Sequence, residues 1–320
     1  MIQFKTDQIK ERISSTTTFN PQLHMAHINR AYRNHIERFF PEEQYEELDA
    51  ELATPLDPGA TDPEKAERAK KEKLYSLFYD ALANLGYYYT IPHLEVTVTS
   101  TGIVSTKTND REKADARQII RLEKSFAEAG LENLDRLIKY LIKEVALFTW
   151  WTAVFAASGY QNLIVSDHIA FQRWVDISES ALVFLQLRPV INHIERLEVA
   201  PVLGNTLYQA ILPILPASDP NYQLRENVSA FIACRSMADG LKMKNVGMNE
   251  KGLYQIYIEN QDYGKHPPLP AAVQEKINLL NALASQYRDV VTDFITPPEE
   301  GDSGILGYNE EDSGFFHTWG

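Results

Sequence analysis

Asn34-His35-Ile36-Glu37-Arg38 returns unchanged as Asn192-His193-Ile194-Glu195-Arg196, and this recurrence divides the 320 residues into two copies of one unit. The likeness outlasts the identical stretch. Pro41 and Pro201 stand a few residues downstream, followed by Tyr45 with Leu48 in one half and Tyr208 with Ile211 in the other. Later, Gly102-Ile103-Val104 and Gly252-Leu253-Tyr254 open short β-rich stretches that lead into long amphipathic runs. The reading is a mainly α fold of two related helical units, an internal duplication, each with a short β-hairpin or β-arm. Its expected boundaries are 1–144 for the first repeat, 145–178 between the repeats, 179–297 for the second repeat and 298–320 for an acidic, aromatic tail.

Within the first unit, Leu23, Ile28, Tyr32, Ile36 and Phe39 recur mainly every four residues, so one helix face is apolar until Pro41 stops it. A short helix over 42–52 follows, then the breakers Thr54-Pro55-Leu56-Asp57-Pro58-Gly59. The basic run 65–73 is interleaved with Glu64, Glu67 and Glu72, which describes a solvated helix face. That helix continues through Leu74, Leu77, Phe78, Leu82 and Leu85, with Gly86 expected at its end. The period then changes to two over 93–99, Ser100-Thr101-Gly102 has turn chemistry, and a strand returns. A stripe of Ile119, Leu122, Phe126, Leu134, Leu137 and Leu141 closes the unit, with Gly130 expected to bend or divide it.

Asp176 and Glu179 have the offset of an N-cap and its N3 partner at the start of the second unit. Phe184, Leu187, Ile191, Ile194 and Leu197 then draw the stripe, and Pro189 inside it predicts a kink or a helix that begins there. A turn at 201–204, helices over 208–215 and 224–241, a strand over 254–258 and a stripe of Ile277, Leu280, Leu283, Tyr287, Val291 and Phe294 complete the plan. Residues 145–166 carry no charge, but the dense apolar part is too short for a membrane span, so a buried segment between the repeats is expected.

A net charge of −13 argues against a protein whose main task is to grip phosphate backbones. Cys234, the single cysteine, lies among apolar residues and excludes an internal disulfide. The first residues lack a signal-peptide pattern, which points to a cytosol-like compartment. No P-loop, dinucleotide fingerprint, HExxH, GxSxG or CxxC occurs. Gly301-Asp302-Ser303-Gly304 resembles a serine-protease nucleophile segment but sits in the tail without a scaffold for an oxyanion hole. His24 and His27 have a helical metal-ligand spacing that is common by chance, and Glu42, Glu43, Glu46 and Glu47 suit a solvated first helical turn. No catalytic residue, cofactor or metal is expected. The tail is acidic yet carries Tyr308, Phe315, Phe316 and Trp319, the residue types that anchor a flexible segment on a partner.

Phe184-Leu185-Gln186-Leu187-Arg188-Pro189, then Ile194-Glu195-Arg196, then Pro201-Val202-Leu203-Gly204 with Tyr208, resembles a pattern in uncharacterised proteins encoded by tailed phages and prophages of gut anaerobes. Gly102-Ile103-Val104-Ser105 followed by an Arg-rich helix is similar to the first half of the same proteins. The resemblance spans most of 20–296 and carries no active site. It implies a virion structural part, a head–tail connector or neck subunit assembled in the host cytoplasm. Its partners would be itself, as a homo-oligomer, and other virion proteins, with neither membrane nor sequence-specific nucleic acid. The alternative is a cytosolic helical adaptor without catalytic activity.

Overall fold

The computed structural model describes residues 2–13, 20–94, 96–99, 102–105, 116–157, 162–243, 246–248, 254–256 and 270–296. The expected turn residues Ser100 and Thr101, the strand residues Tyr257 and Ile258, and the whole of 298–320 lie outside them. The described chain is mainly α. In order it runs α1 (Thr6–Arg12), α2 (Met25–Ala31), a π-turn (Tyr32–Ile36), α3 (Glu42–Ala53), α4 (Asp62–Leu94), β1 (Val96–Thr99), β2 (Gly102–Ser105) and α5 (Ala116–Lys143). After α6 (Thr149–Ala157) and α7 (His168–Gln172) come α8 (Ala181–Ile194), a second π-turn (Glu195–Val199), α9 (Ala200–Ile211), α10 (Tyr222–Lys242), β3 (Val246–Met248), β4 (Tyr254–Ile256) and α11 (Pro270–Ile295). β1 pairs antiparallel with β2, Val96 opposite Ser105, and β3 with β4, Val246 opposite Ile256.

The first core forms where α4 and α5 pack side by side. Lys70 meets Glu144, Leu85 meets Gly130 and Tyr87 meets Phe126, so the two helices run antiparallel. Leu74, Phe78, Leu82 and Leu85 of α4 face Leu134, Leu137, Ile138 and Leu141 of α5, all fully enclosed. Phe78 centres an aromatic cluster, with Phe40 at 5.0 Å, Tyr45 at 5.1 Å and Phe4 at 6.0 Å between ring centroids. Asn29 ties in the N-terminal segment, accepting from the Ile2 N–H and donating to the Ile2 carbonyl, both at 3.0 Å.

Both glycines expected to break helices instead mark close approach. α4 runs through Gly86 to Leu94, because α2 crosses there and a Cβ on Gly86 would stand 3.0 Å from Ile28 Cγ1. α5 is continuous through Gly130, where a Cβ would lie 2.6 Å from Leu85 Cγ.

α8, α10 and α11 enclose the second core around Leu187, Ile191, Ile194, Ile232, Met237 and Leu280. α8 begins at Ala181 rather than at Pro189, which lies exposed within it. Its N-cap is Ser180, whose side chain accepts from Val183 N, while Asp176 instead accepts from Ser178 N. Asp135 of α5 accepts from Leu182 N at 2.8 Å and Ser180 Oγ at 3.0 Å, so a carboxylate from the first half completes the α8 N-terminus. The uncharged stretch between the halves divides between the cores. Trp151 is buried in the first, and Leu163, Ile164 and Val165 in the second. No described helix is long and apolar enough to cross a membrane.

Four of the apolar stripes lose a member to solvent: Leu23 is exposed ahead of α2, Leu122 on α5, Leu197 in the second π-turn and Phe294 at the end of α11. For Leu197 the cause is the π-turn, whose i→i+5 bond from Ala200 N to Glu195 O inserts an extra residue per turn. The helix phase slips, so Leu197 rotates outward, while Glu195, one α-turn after Ile191, is on the core side and fully buried.

Candidate functional site: the two pentapeptide sites

In the first pentapeptide, Asn34, His35 and Ile36 close a π-turn whose i→i+5 bond runs from Glu37 N to Tyr32 O at 2.9 Å. Ile36 is fully buried. Asn34 and His35 both reach Tyr89 in the last turns of α4: Asn34 Nδ2 donates to the phenol oxygen at 3.1 Å, and His35 Nε2 lies 3.0 Å from the same atom. With the oxygen accepting from Asn34, the Tyr89 hydrogen is free to be donated to His35 Nε2, which requires a neutral imidazole carrying its proton on Nδ1. Burial, and secondarily the Arg38 guanidinium, push the His35 pKa down to about 4, which keeps that neutral form. Arg30 stacks over the Tyr89 ring at 5.3 Å.

The second pentapeptide shares the sequence but not the surroundings. Asn192, His193 and Ile194 end α8, and Glu195 with Arg196 opens the π-turn. Ile194 is fully buried, as Ile36 is. His193, however, is exposed. The last two turns of α10 carry no aromatic residue to match Tyr89, so the contact His35 makes has no counterpart at His193. The polar group that turns inward is Glu195, with 0% exposure, whereas Glu37 is half-buried.

Glu195 Oε2 accepts from Ile164 N at 3.1 Å and from the Tyr208 hydroxyl at 3.2 Å, and Oε1 accepts from Val165 N at 3.4 Å. Arg225 binds the same segment, Nη2 donating to Ile164 O at 3.0 Å while Nε donates to Pro213 O at 2.8 Å. Burial drives the Glu195 carboxyl up to about 7, against the opposing pull of the two N–H groups, Tyr208 and Arg225. The arrangement clamps the chain that links the halves onto the π-turn. A carboxyl so enclosed meets no substrate. What it offers is a proton equilibrium close to neutral pH.

Three side chains that organise these sites were not singled out from sequence: Tyr89, Asp135 and Arg225. The available signals were three consecutive tyrosines at 87–89 and the adjacent opposite charges Arg225-Glu226 near the start of a helical run. The tail anchors Tyr308, Phe315, Phe316 and Trp319 lie outside the described residues. His24 and His27 gather with His93; the His27 and His93 rings stack at 4.0 Å, and no metal-binding group of three or more His, Cys, Asp or Glu side chains occurs among the described residues. Cys234 is buried, and burial raises its thiol to about 11, which keeps it protonated.

A family of unknown function, DUF6712, matches residues 36–154, from within the first pentapeptide to α6 and just over a third of the chain. The similarity therefore covers the α3–α5 region of the first half and leaves the second half outside. No curated protein and no solved structure matches the chain.

Proposed function

We propose that this chain is a structural subunit that acts by assembly, specifically a head–tail connector or neck component of a tailed phage or prophage. The observation that carries the reading is the use made of the repeated signature. Its most enclosed polar groups, His35 and Glu195, bind the scaffold itself, a tyrosine of α4 in one half and the backbone of the inter-half segment in the other. Polar groups so used serve construction rather than turnover. The element order supports the same reading. The order of α2, π-turn, α3, α4, strand pair and α5 is met again as α8, π-turn, α9, α10, strand pair and α11, and strand pairs at matching places in two linked units suit heterologous contacts that close into rings.

Sedimentation of the full chain across a concentration series, with negative-stain images of the particles, tests the proposal. Rings of fixed order are the expected result. A monomer or dimer at every concentration would favour a helical adaptor and remove the connector reading.

A further inference from the structure

In a chain of net charge −13, two exposed arginines and two histidines come together on one described face. It is the face where α2 lies over the end of α4. His27, Arg30 and Asn34 recur at helical spacing along α2 and its π-turn, while Tyr89 and His93 stand one turn apart on α4. The contacts join them into one patch: His27 stacks on His93 at 4.0 Å, Arg30 covers Tyr89 at 5.3 Å, and Asn34 donates to Tyr89 at 3.1 Å. Arg33, on the π-turn, is exposed beside them, as is Arg30. No carboxylate pairs with either arginine among the described residues. Burial, and secondarily the basic neighbours His93, His24 and Arg30, hold the His27 pKa below its usual value, so the patch draws its positive charge from the two arginines.

The same chain carries the complementary chemistry. Residues 298–320 hold six carboxylates, no lysine or arginine, and the aromatic residues Tyr308, Phe315, Phe316 and Trp319. We infer that the patch formed by His27, Arg30, Arg33, Tyr89 and His93 receives residues 298–320 of a neighbouring copy, the arginines facing the carboxylates and Tyr89 and the histidine stack meeting the aromatic side chains. The inference rests on the assembly reading above and names its contact. Segment and patch lie at opposite ends of the sequence, one after α11 and the other on α2, so the contact is heterologous and leaves each copy with a free patch or segment until a ring closes. Guanidinium–carboxylate pairs supply orientation, and arginine with aromatic rings supplies the anchors.

The test is a charge swap in the full chain, read by sedimentation, with thermal unfolding as the control for folding. Arg30→Glu with Arg33→Glu should weaken self-association at least tenfold, and Glu310→Lys with Glu311→Lys and Asp312→Lys should do the same. Carrying all five changes in one chain, or mixing the two variants, should restore most of the association, because each reversed surface then meets its complement. If the unmodified chain assembles and the arginine pair can be reversed without effect, or if the combined variant is no better than either parent, this inference falls and the assembly reading stands. If the unmodified chain never assembles, both fall. A 20-nucleotide single-stranded DNA that binds the unmodified chain and is released by the arginine reversal would reassign the patch to nucleic acid and overturn the inference.

Discussion

Ile36 and Ile194 occupy matching places in the repeated pentapeptide and are both fully enclosed, one in each core. Truncating either to alanine should cost about 2–5 kcal/mol, the range for deleting a buried aliphatic side chain that leaves a cavity; denaturant midpoints measure it, and an unchanged midpoint would place that helix face in solvent. The polar neighbours of these residues diverge, and so should their titrations. Glu195 has a folded pKa raised from 4.5 to about 7, so the fold favours its neutral form. Its contribution is full below about 4.5 and is lost as pH rises towards 7, a loss on the order of 3 kcal/mol. His35 leans the other way. Its folded pKa is lowered from 6.5 to about 4, so stability is present above 6.5 and declines as pH falls towards 4. Between pH 4.5 and 6.5 the two contributions oppose each other in the parent, so Glu195→Gln, which removes only the Glu195 contribution, should make stability rise more steeply with pH than in the parent when both are denatured across pH 4.5 to 7.5. Equal slopes would mean that Glu195 is ionised in the fold.

Helix boundaries and helix contacts follow different rules, and α4 and α5 illustrate the difference. Glycine is a poor helix former, which is why Gly86 and Gly130 read as an end and a bend. Both lie instead inside continuous helices, at points where only a missing Cβ lets a neighbour approach. Gly130→Ala should therefore lower the unfolding temperature despite alanine's higher helix propensity, with overpacking costing about 1–3 kcal/mol against a propensity gain of about 1 kcal/mol. Leu85→Ala in the same chain should relieve part of that cost, since the predicted clash is with the Leu85 side chain. A Gly130→Ala protein more stable than its parent would show that α4 and α5 stand further apart. Asp135 is a second element-scale feature, because it supplies from α5 what the first turn of α8 lacks. Asp135→Ala should cost about 1 kcal/mol, as loss of a capping acceptor does, and should do so through the contact between halves.

At the scale of the whole molecule the two cores are joined by side chains as well as by sequence. Asp135 reaches α8, Ala181 and Leu182 contribute to the first core, and Glu195 with Arg225 holds the 163–165 segment in the second. Residues 298–320 follow α11 in sequence and lie outside the described residues. Removing them should leave the thermal unfolding of the chain nearly unchanged while reducing self-association, and salt should weaken the association of the intact chain because the contact is charged. A truncated chain that assembles like its parent at every salt concentration would leave the tail without an assembly role.

The sequence by itself determined the helical class and most of the apolar residues that seed the cores, because 3.6-residue periodicity acts over a few neighbours and needs no partner to be read. Tyr45, Leu48, Ile36, Ile194 and Ile211 all point inward, as their spacing requires. Tertiary structure decided what identical letters do. His35 is held by Tyr89 while His193 faces solvent; Glu195 is buried while Glu37 is not; Leu197 leaves the stripe it belongs to by spacing. Each of those outcomes depends on which residue another element brings opposite, and on a π-turn that slips the helix phase by one residue. Periodicity along a single helix carries neither.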